Sequence, residues 1–188
     1  MAKFDHWRSP VADMGANFPK CLKALPFTHQ WNIRVSPSDA AFDGLCKGLI
    51  GTAFPQTPNH VQTGTDGTKA IWLAPDEWLV VSLDDMAAKI AQQRKDLGAA
   101  HVALTDISAN RIIFELSGPH PREILMKSCE LDFHPRVFKE GQAAQTLLAK
   151  SQALIEKTDV DCFHIYVRNS FARYVAGWLC DAAREYDD

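Results

Sequence analysis

The sequence predicts an α+β protein in which one order of secondary-structure elements occurs twice. Stretches with alternating apolar residues are typical of strands, and they are interleaved with stretches whose apolar residues recur three and four positions apart, as in helices. Each half has the order strand, helix, strand, strand, helix, with turn-forming residues between the elements. Because neither half alone is large enough to bury its helix faces, we expect two modules, about 28–108 and 109–188, that form one unit.

The first module is predicted to contain two helices and a hairpin. Its elements are a strand at 29–35, a helix at 41–49, strands at 69–73 and 78–83, a helix at 86–97 and a strand at 101–107. Ser36 and Asp39 resemble a capping box before the first helix, and Gly51 is expected to end it. The turn Ala74-Pro75-Asp76-Glu77 joins the hairpin strands.

The second module contains the most informative segment, a strand that runs through Ser117-Gly118-Pro119 into a helix. Pro119 suits the first helical position and Ser117 can cap the helix. The strand is predicted at 111–116 and the helix at 119–128, and strands at 145–149, 152–157 and 163–168 follow. This order of elements in both halves predicts two tandem ferredoxin-like modules.

The last helix has the strongest pattern in the chain. Ser170 is its predicted N-cap, and its apolar residues recur at helical spacing. These residues are Phe171, Tyr174, Val175, Trp178, Leu179 and Ala182. We expect this whole set to form the buried stripe of the helix.

Residues 1–27 are predicted to form an extended N-terminal arm. Three prolines interrupt the stretch, which shows little periodicity. Its large apolar residues are Phe4, Trp7, Val11, Met14, Phe18 and Phe27. Since such a stretch is too apolar for a disordered tail, we expect it to lie on its own domain or on a partner.

Composition and charge exclude several classes of protein. The chain has 188 residues, 46% of them hydrophobic and 23% charged, with a net charge of -3. The sequence has no basic patch of the kind that binds nucleic acid or an anionic membrane. Without a signal peptide or a spanning segment we expect a cytoplasmic protein. The five cysteines are an odd number without a Cys-x-x-Cys pair, which favours reduced, buried thiols.

The sequence predicts no catalytic, cofactor-binding or metal-binding residue in this chain. His120, His134 and His164 lack a second ligand at local metal-binding spacing. A Gly-x-Ser-x-Gly elbow and a phosphate-binding glycine loop are both missing from the sequence.

Two small groups of residues are candidates for binding instead. Trp72 and Trp78 flank the hairpin turn and, with Asp106, could form a pocket for a pterin or a base, although such tryptophans are more often core residues. Phe133 and Arg136 lie in an apolar and basic segment, 131–136, that could contact a partner. Trp7 of the arm is a further predicted partner contact.

Several ordered motifs resemble the gamma subunit of heterotetrameric sarcosine oxidase. The resemblance covers about residues 29 to 184, and its motifs occur in the same order as in that family. They are Trp72-Leu73-Ala74-Pro75-Asp76-Glu77-Trp78-Leu79, Thr105-Asp106-Ile107-Ser108-Ala109-Asn110-Arg111, Ser117-Gly118-Pro119-His120-Pro121-Arg122-Glu123-Ile124-Leu125, Cys129-Glu130-Leu131-Asp132-Phe133-His134-Pro135-Arg136, Ala144-Gln145-Thr146-Leu147-Leu148-Ala149 and Arg168-Asn169-Ser170-Phe171-Ala172.

This resemblance implies a non-catalytic, structural subunit. The family belongs to a bacterial complex of alpha, beta, gamma and delta chains that oxidises sarcosine to glycine, giving hydrogen peroxide and either formaldehyde or methylene-tetrahydrofolate. FAD, FMN, NAD, zinc and tetrahydrofolate are then expected in the partner subunits, and the alpha subunit is the expected direct partner.

The resemblance also implies a fold like the folate-binding domain of aminomethyltransferases. Those enzymes place an acidic pair upstream of the hairpin, where this chain has Gln62 and Thr63. A stand-alone folate-binding or one-carbon transfer protein is the alternative function.

Overall fold

The computed structural model describes residues 7–186, which separate into two compact units. The central unit is Thr28–Ser108, and the terminal unit combines residues 7–27 with residues 109–186. Each unit has a five-stranded antiparallel sheet and two α-helices. Within the described residues, every helix is too short or too polar to cross a membrane.

The elements follow one another in the predicted alternation of strands and helices. Along the chain they are β1 (Leu22–Ala24), β2 (His29–Arg34), α1 (Phe42–Ile50), β3 (Val61–Thr63), β4 (Lys69–Ala74), β5 (Glu77–Ser82), α2 (Ala87–Asp96), β6 (Ala103–Asp106), β7 (Arg111–Ser117), α3 (Pro121–Met126), β8 (Gln142–Leu148), β9 (Ser151–Asp159), β10 (Cys162–Arg168) and α4 (Ala172–Ala183). Short 3-10 turns occur at Gly15–Asn17, Asn169–Phe171 and Arg184–Tyr186.

The two sheets have the same strand order. The order is β6-β2-β5-β4-β3 in the central unit and β1-β7-β10-β9-β8 in the terminal unit, and all neighbours are antiparallel. The four strands from β6 to β4, and those from β1 to β9, have the ferredoxin-like order, with β3 or β8 added at the edge. The predicted ferredoxin-like architecture is therefore confirmed.

The two units differ in where their fourth ferredoxin-like strand comes from. In the central unit this strand is β6, which follows α2 along the chain. In the terminal unit it is β1, which comes from the N-terminal stretch and pairs with β7. The terminal unit is thus a circularly permuted version of the central one.

The N-terminal stretch consequently belongs to a unit, whereas the sequence predicts a separate extended arm over 1–27. Leu22 faces Leu116 across the β1–β7 pair, and both are buried. Val11 is also buried in the terminal core, and the ring of Phe18 lies 6.3 Å from that of Phe114. The predicted arm residue Phe4 lies outside the described residues.

Each unit has its own hydrophobic core between its helices and one face of its sheet. In the central unit, Phe42 from α1, Phe54 and Trp78 from β5 form an aromatic cluster with ring centroids 5.4–6.2 Å apart. The terminal unit has a second cluster, in which Phe133 lies 5.7 Å from Phe163. Aromatic pairs in this range add stability beyond their buried area.

The helix ends agree only in part with the predicted caps. Gly51 ends α1 in the left-handed conformation, φ 77°, as predicted. The predicted capping box does not form, because Asp39 Oδ1 accepts a hydrogen bond from the Ala41 amide, 2.8 Å, before the helix begins. In the second module, Pro121 and not Pro119 is the first residue of α3, and Ser117 ends β7.

The cysteines agree in part with the expected buried thiols. All five lie in the described residues, and none forms a disulfide. Cys46 and Cys129 are buried, while Cys21, Cys162 and Cys180 are partly exposed. Burial raises the pKa of the Cys46 thiol to about 11, which keeps it protonated and unreactive at neutral pH.

Gly64 makes a close backbone approach that predicts a strong effect of substitution. A Cβ atom at this position would lie 2.0 Å from the carbonyl oxygen of Ile50, a backbone atom that cannot move aside easily. We expect Gly64→Ala to lower the free energy of unfolding by about 1–3 kcal/mol, the usual range for overpacking. Urea denaturation of the full chain measures this change.

The control is Gly44→Ala, inside α1, where an added Cβ has no atom within 4 Å apart from its chain neighbours and the backbone of its own helix. That substitution should raise stability, by about 0.5–1 kcal/mol, because alanine favours the helix. Equal and small changes in both variants would contradict the close approach at Gly64.

Candidate partner interface

Helix α4 buries a face of small and aliphatic residues. Its core residues are Ala172, Val175, Ala176, Leu179, Ala182 and Ala183. They lie three, four and seven positions apart, so they share one face of the helix. These residues are part of the hydrophobic core of the terminal unit.

The three large aromatic residues predicted for this core lie outside it. Phe171, Tyr174 and Trp178 keep 42%, 38% and 43% of their surface exposed. Tyr174 and Trp178 contact each other, with ring centroids 6.1 Å apart. The prediction that they join the buried stripe is wrong, because α4 has more apolar residues than one face can hold. Phe171 is the N-cap residue of α4 and the other two lie within it. We call these three residues the aromatic face of α4.

Contacts with other parts of the terminal unit hold α4 in place. Near its first turn, Arg173 Nη1 donates a hydrogen bond to Asp13 Oδ1 at 2.6 Å, which lowers the pKa of Asp13. Near its last turn, Lys127 Nζ donates to the carbonyl oxygen of Ala182 at 2.5 Å, satisfying a helix-terminal acceptor. Lys127 also forms an ion pair with Glu185.

An exposed pair of Tyr and Trp on a fixed helix has the chemistry of a protein contact. These two residue types are enriched among the side chains that dominate binding energy at interfaces. Their rings offer large apolar area and lose little conformational entropy on binding. The aromatic face therefore fits a protein partner better than it fits a small polar ligand.

The residues predicted to contact a partner have three different environments. Trp7 is partly exposed and packs on Phe27, with ring centroids 5.3 Å apart. Arg136 is exposed in a loop, where its amide donates a hydrogen bond to His134 Nδ1 at 3.2 Å. Phe133 is only 1% exposed, so the prediction that it contacts a partner is wrong. It packs against Phe163 in the terminal core instead.

The predicted pterin or base pocket does not form around Trp78. This side chain is fully buried, and its Nε1 donates a hydrogen bond to the carbonyl oxygen of Pro55 at 2.8 Å. Trp72 lies opposite Trp78 in the β4–β5 pair and is partly buried. Asp106 Oδ1 accepts hydrogen bonds from the amide and hydroxyl of Ser108, at 3.0 and 2.6 Å. Trp78 is thus a core residue, and Asp106 stabilises a turn.

The terminal unit has other polar features that were not predicted as sites from the sequence, although His164 was considered as a metal ligand and set aside. A groove of about 320 Å³ is lined in part by Arg111, Arg168 and Tyr166, and none of the predicted pocket residues lines it. On the same sheet, the ligand atoms of Glu115, Cys162 and His164 lie within 4.8 Å of one another. Such a cluster is able to hold a metal ion.

Comparison with solved structures finds the same fold in two other proteins. One chain of the heterotetrameric sarcosine oxidase from Corynebacterium sp. U-96, in complex with pyrrole 2-carboxylate, matches with a TM-score of 0.89 and 30% identity, over 97% of each chain. The aminomethyltransferase T of the glycine cleavage system from Bartonella henselae matches with a TM-score of 0.63 over 84% of this chain and 44% of its own. At 14% identity, the second match shows a shared fold alone, as the sequence predicts.

Comparison of sequences points to the same group of proteins. The sarcosine oxidase subunit gamma of Corynebacterium sp. (strain P-1) is 35% identical over 167 residues, which cover 88% of this chain and 80% of that protein. The model of the sarcosine oxidase, gamma subunit family matches residues 34–185. This chain therefore belongs to the sarcosine oxidase gamma subunit family.

Proposed function

We propose that this chain is a non-catalytic subunit that packs on the alpha subunit of a cytoplasmic sarcosine oxidase through the aromatic face of α4. The observation that carries the proposal is the exposure of Phe171, Tyr174 and Trp178 at the start of α4 and along it, beside the face that the helix buries in the core. The complex would oxidise sarcosine to glycine, with formation of hydrogen peroxide and either formaldehyde or methylene-tetrahydrofolate.

The comparisons support an assembly of this kind. The matching structure from Corynebacterium sp. U-96 is a heterotetrameric sarcosine oxidase, and the match spans 97% of this chain. A fold shared over nearly all of the chain favours a similar place in a similar complex. In that complex, beta and delta subunits would accompany alpha, and the partner subunits would supply FAD, FMN, NAD, zinc and tetrahydrofolate.

Leaving the rings of the aromatic face in water has a free-energy cost. Burying apolar surface contributes about 25 cal/mol per Å². In the isolated chain, the exposed parts of three aromatic side chains contribute none of this free energy. A subunit contact over the aromatic face would recover it, and α4 already holds the rings in position. Trp7 and Arg136 are further proposed contacts.

Coexpression of this chain with tagged alpha, beta and delta subunits tests the proposal. We expect the chain to copurify with the tagged alpha subunit in equal amounts, and also when beta and delta are left out. Omitting the chain should lower the yield of assembled oxidase, while any oxidase that does assemble should keep its turnover per flavin. A chain that copurifies with no subunit, or an oxidase that assembles fully but is inactive without it, would refute a structural role.

A further inference from the structure

On one face of the sheet in the terminal unit, three side chains of types that commonly bind metal ions lie close together. In β7, Phe114 and Leu116 point into the hydrophobic core, so the alternation of a strand places Glu115 on the opposite face. Glu115 and His164 face each other in the β7–β10 pair. Cys162 lies two residues before His164 and therefore shares its face.

The distances in this cluster are close to those of a metal centre. His164 Nε2 lies 3.7 Å from Glu115 Oε2, and the ligand atoms of all three residues lie within 4.8 Å of one another. Zinc bond lengths in tetrahedral geometry place neighbouring ligand atoms about 3.3–3.6 Å apart. Small side-chain rotations would therefore bring the three ligands to an ion, with no change in the sheet.

The buried carboxylate of Glu156 lies near the second ring nitrogen of His164. The second ring nitrogen of His164, Nδ1, lies 3.9 Å from Glu156 Oε2. Tyr166 donates a hydrogen bond of 2.7 Å to the same oxygen, and both Glu156 and Tyr166 are at most 2% exposed. Histidines that bind a metal typically direct their other ring nitrogen to such a carboxylate, which sets the tautomer and orients the ring.

We propose that Glu115, Cys162 and His164 bind one zinc ion, with Glu156 and Tyr166 orienting the histidine. A thiolate, an imidazole and a carboxylate are the ligand types that zinc prefers. All three residues are partly exposed, so an ion can enter from solvent and a water molecule can take the fourth position. The proposal rests on the terminal unit alone and does not depend on the partner of α4.

One neighbouring charge would limit the affinity of the site. Lys23 Nζ pairs with Glu115 Oε1 at 3.2 Å, and its positive charge would oppose binding of a cation. Lys23→Met should therefore increase the affinity for the ion.

Metal titration of the chelator-treated full chain tests the proposal. We expect calorimetry with zinc chloride to show one ion bound per chain. Cobalt chloride should give the absorption band of a thiolate–cobalt bond. Cys162→Ser should abolish this band, whereas Cys180→Ser, at another partly exposed cysteine, should leave it unchanged. Glu156→Gln should weaken binding by about 10-fold or more, the scale known for residues that support a ligand. Glu115→Gln and His164→Gln remove ligands and should weaken binding at least as much.

Circular dichroism and urea denaturation show whether each variant is folded. The absence of saturable zinc binding to the wild-type chain would overturn the proposal and leave the cluster as hydrogen bonds and ion pairs. A cobalt–thiolate band that survives Cys162→Ser would also overturn it, because another cysteine would then hold the ion. If His164→Gln fails to fold, Cys162→Ser still tests the proposal, because serine has nearly the size of cysteine and removes only the thiolate ligand.

Discussion

Replacing Tyr174 and Trp178 together with alanine is expected to release this chain from the oxidase without unfolding it. Interface residues of these types often contribute 2 kcal/mol or more, and the two rings contact each other, so their effects should not simply add. We expect affinity for the alpha subunit to fall at least about 100-fold, which corresponds to about 2.7 kcal/mol. The buried face of α4 is untouched, so the urea midpoint should stay close to that of the wild type.

Binding of the purified chain to the tagged alpha subunit measures this effect. The control is Leu83→Ala, a large exposed apolar side chain in the central unit, outside the aromatic face. It should leave the affinity unchanged, because a single exposed leucine is ordinary for a protein surface. Wild-type affinity in the Tyr174 and Trp178 double variant would show that the alpha subunit binds elsewhere.

Trp78→Ala should have the largest effect on stability. Trp78 is fully buried against Phe42 and Phe54, and its indole nitrogen satisfies the carbonyl oxygen of Pro55. Truncation would leave a cavity and a partly buried acceptor without its donor. We expect a loss of about 3–5 kcal/mol in the free energy of unfolding, as for other large aromatic residues in cores.

Urea denaturation followed by circular dichroism measures this loss. The matched control is Trp72→Ala, at the cross-strand neighbour of Trp78 in the same hairpin. Since Trp72 is only partly buried, its replacement should cost less than half as much. Equal losses in the two variants would contradict the core role assigned to Trp78.

The elements and their order could be predicted from the sequence because the signals for them are local. The hairpin of β4 and β5 follows from a turn between two alternating stretches, and Gly51 marks the end of α1 in both sequence and structure. A helix at the C-terminus also follows from its periodicity. Periodicity could not tell which apolar residues of α4 are buried, since both Val175 and Tyr174 fit a helical repeat. The sequence did contain one signal for an exposed aromatic face. Helix α4 has more apolar residues than a single buried stripe can hold, so some of them must face solvent.

Ordered motifs also sufficed to recognise the family, since they need no knowledge of contacts. What only the tertiary structure decided are the relations between residues far apart in the chain. Sequence spacing does not show that β1 completes the sheet at β7, or that Glu115 lies beside His164. It also does not show that Phe133 fills a core while Trp178 faces solvent. Local propensity and periodicity act over a few residues, whereas strand pairing and burial depend on long-range packing, which selects among faces that look alike in sequence.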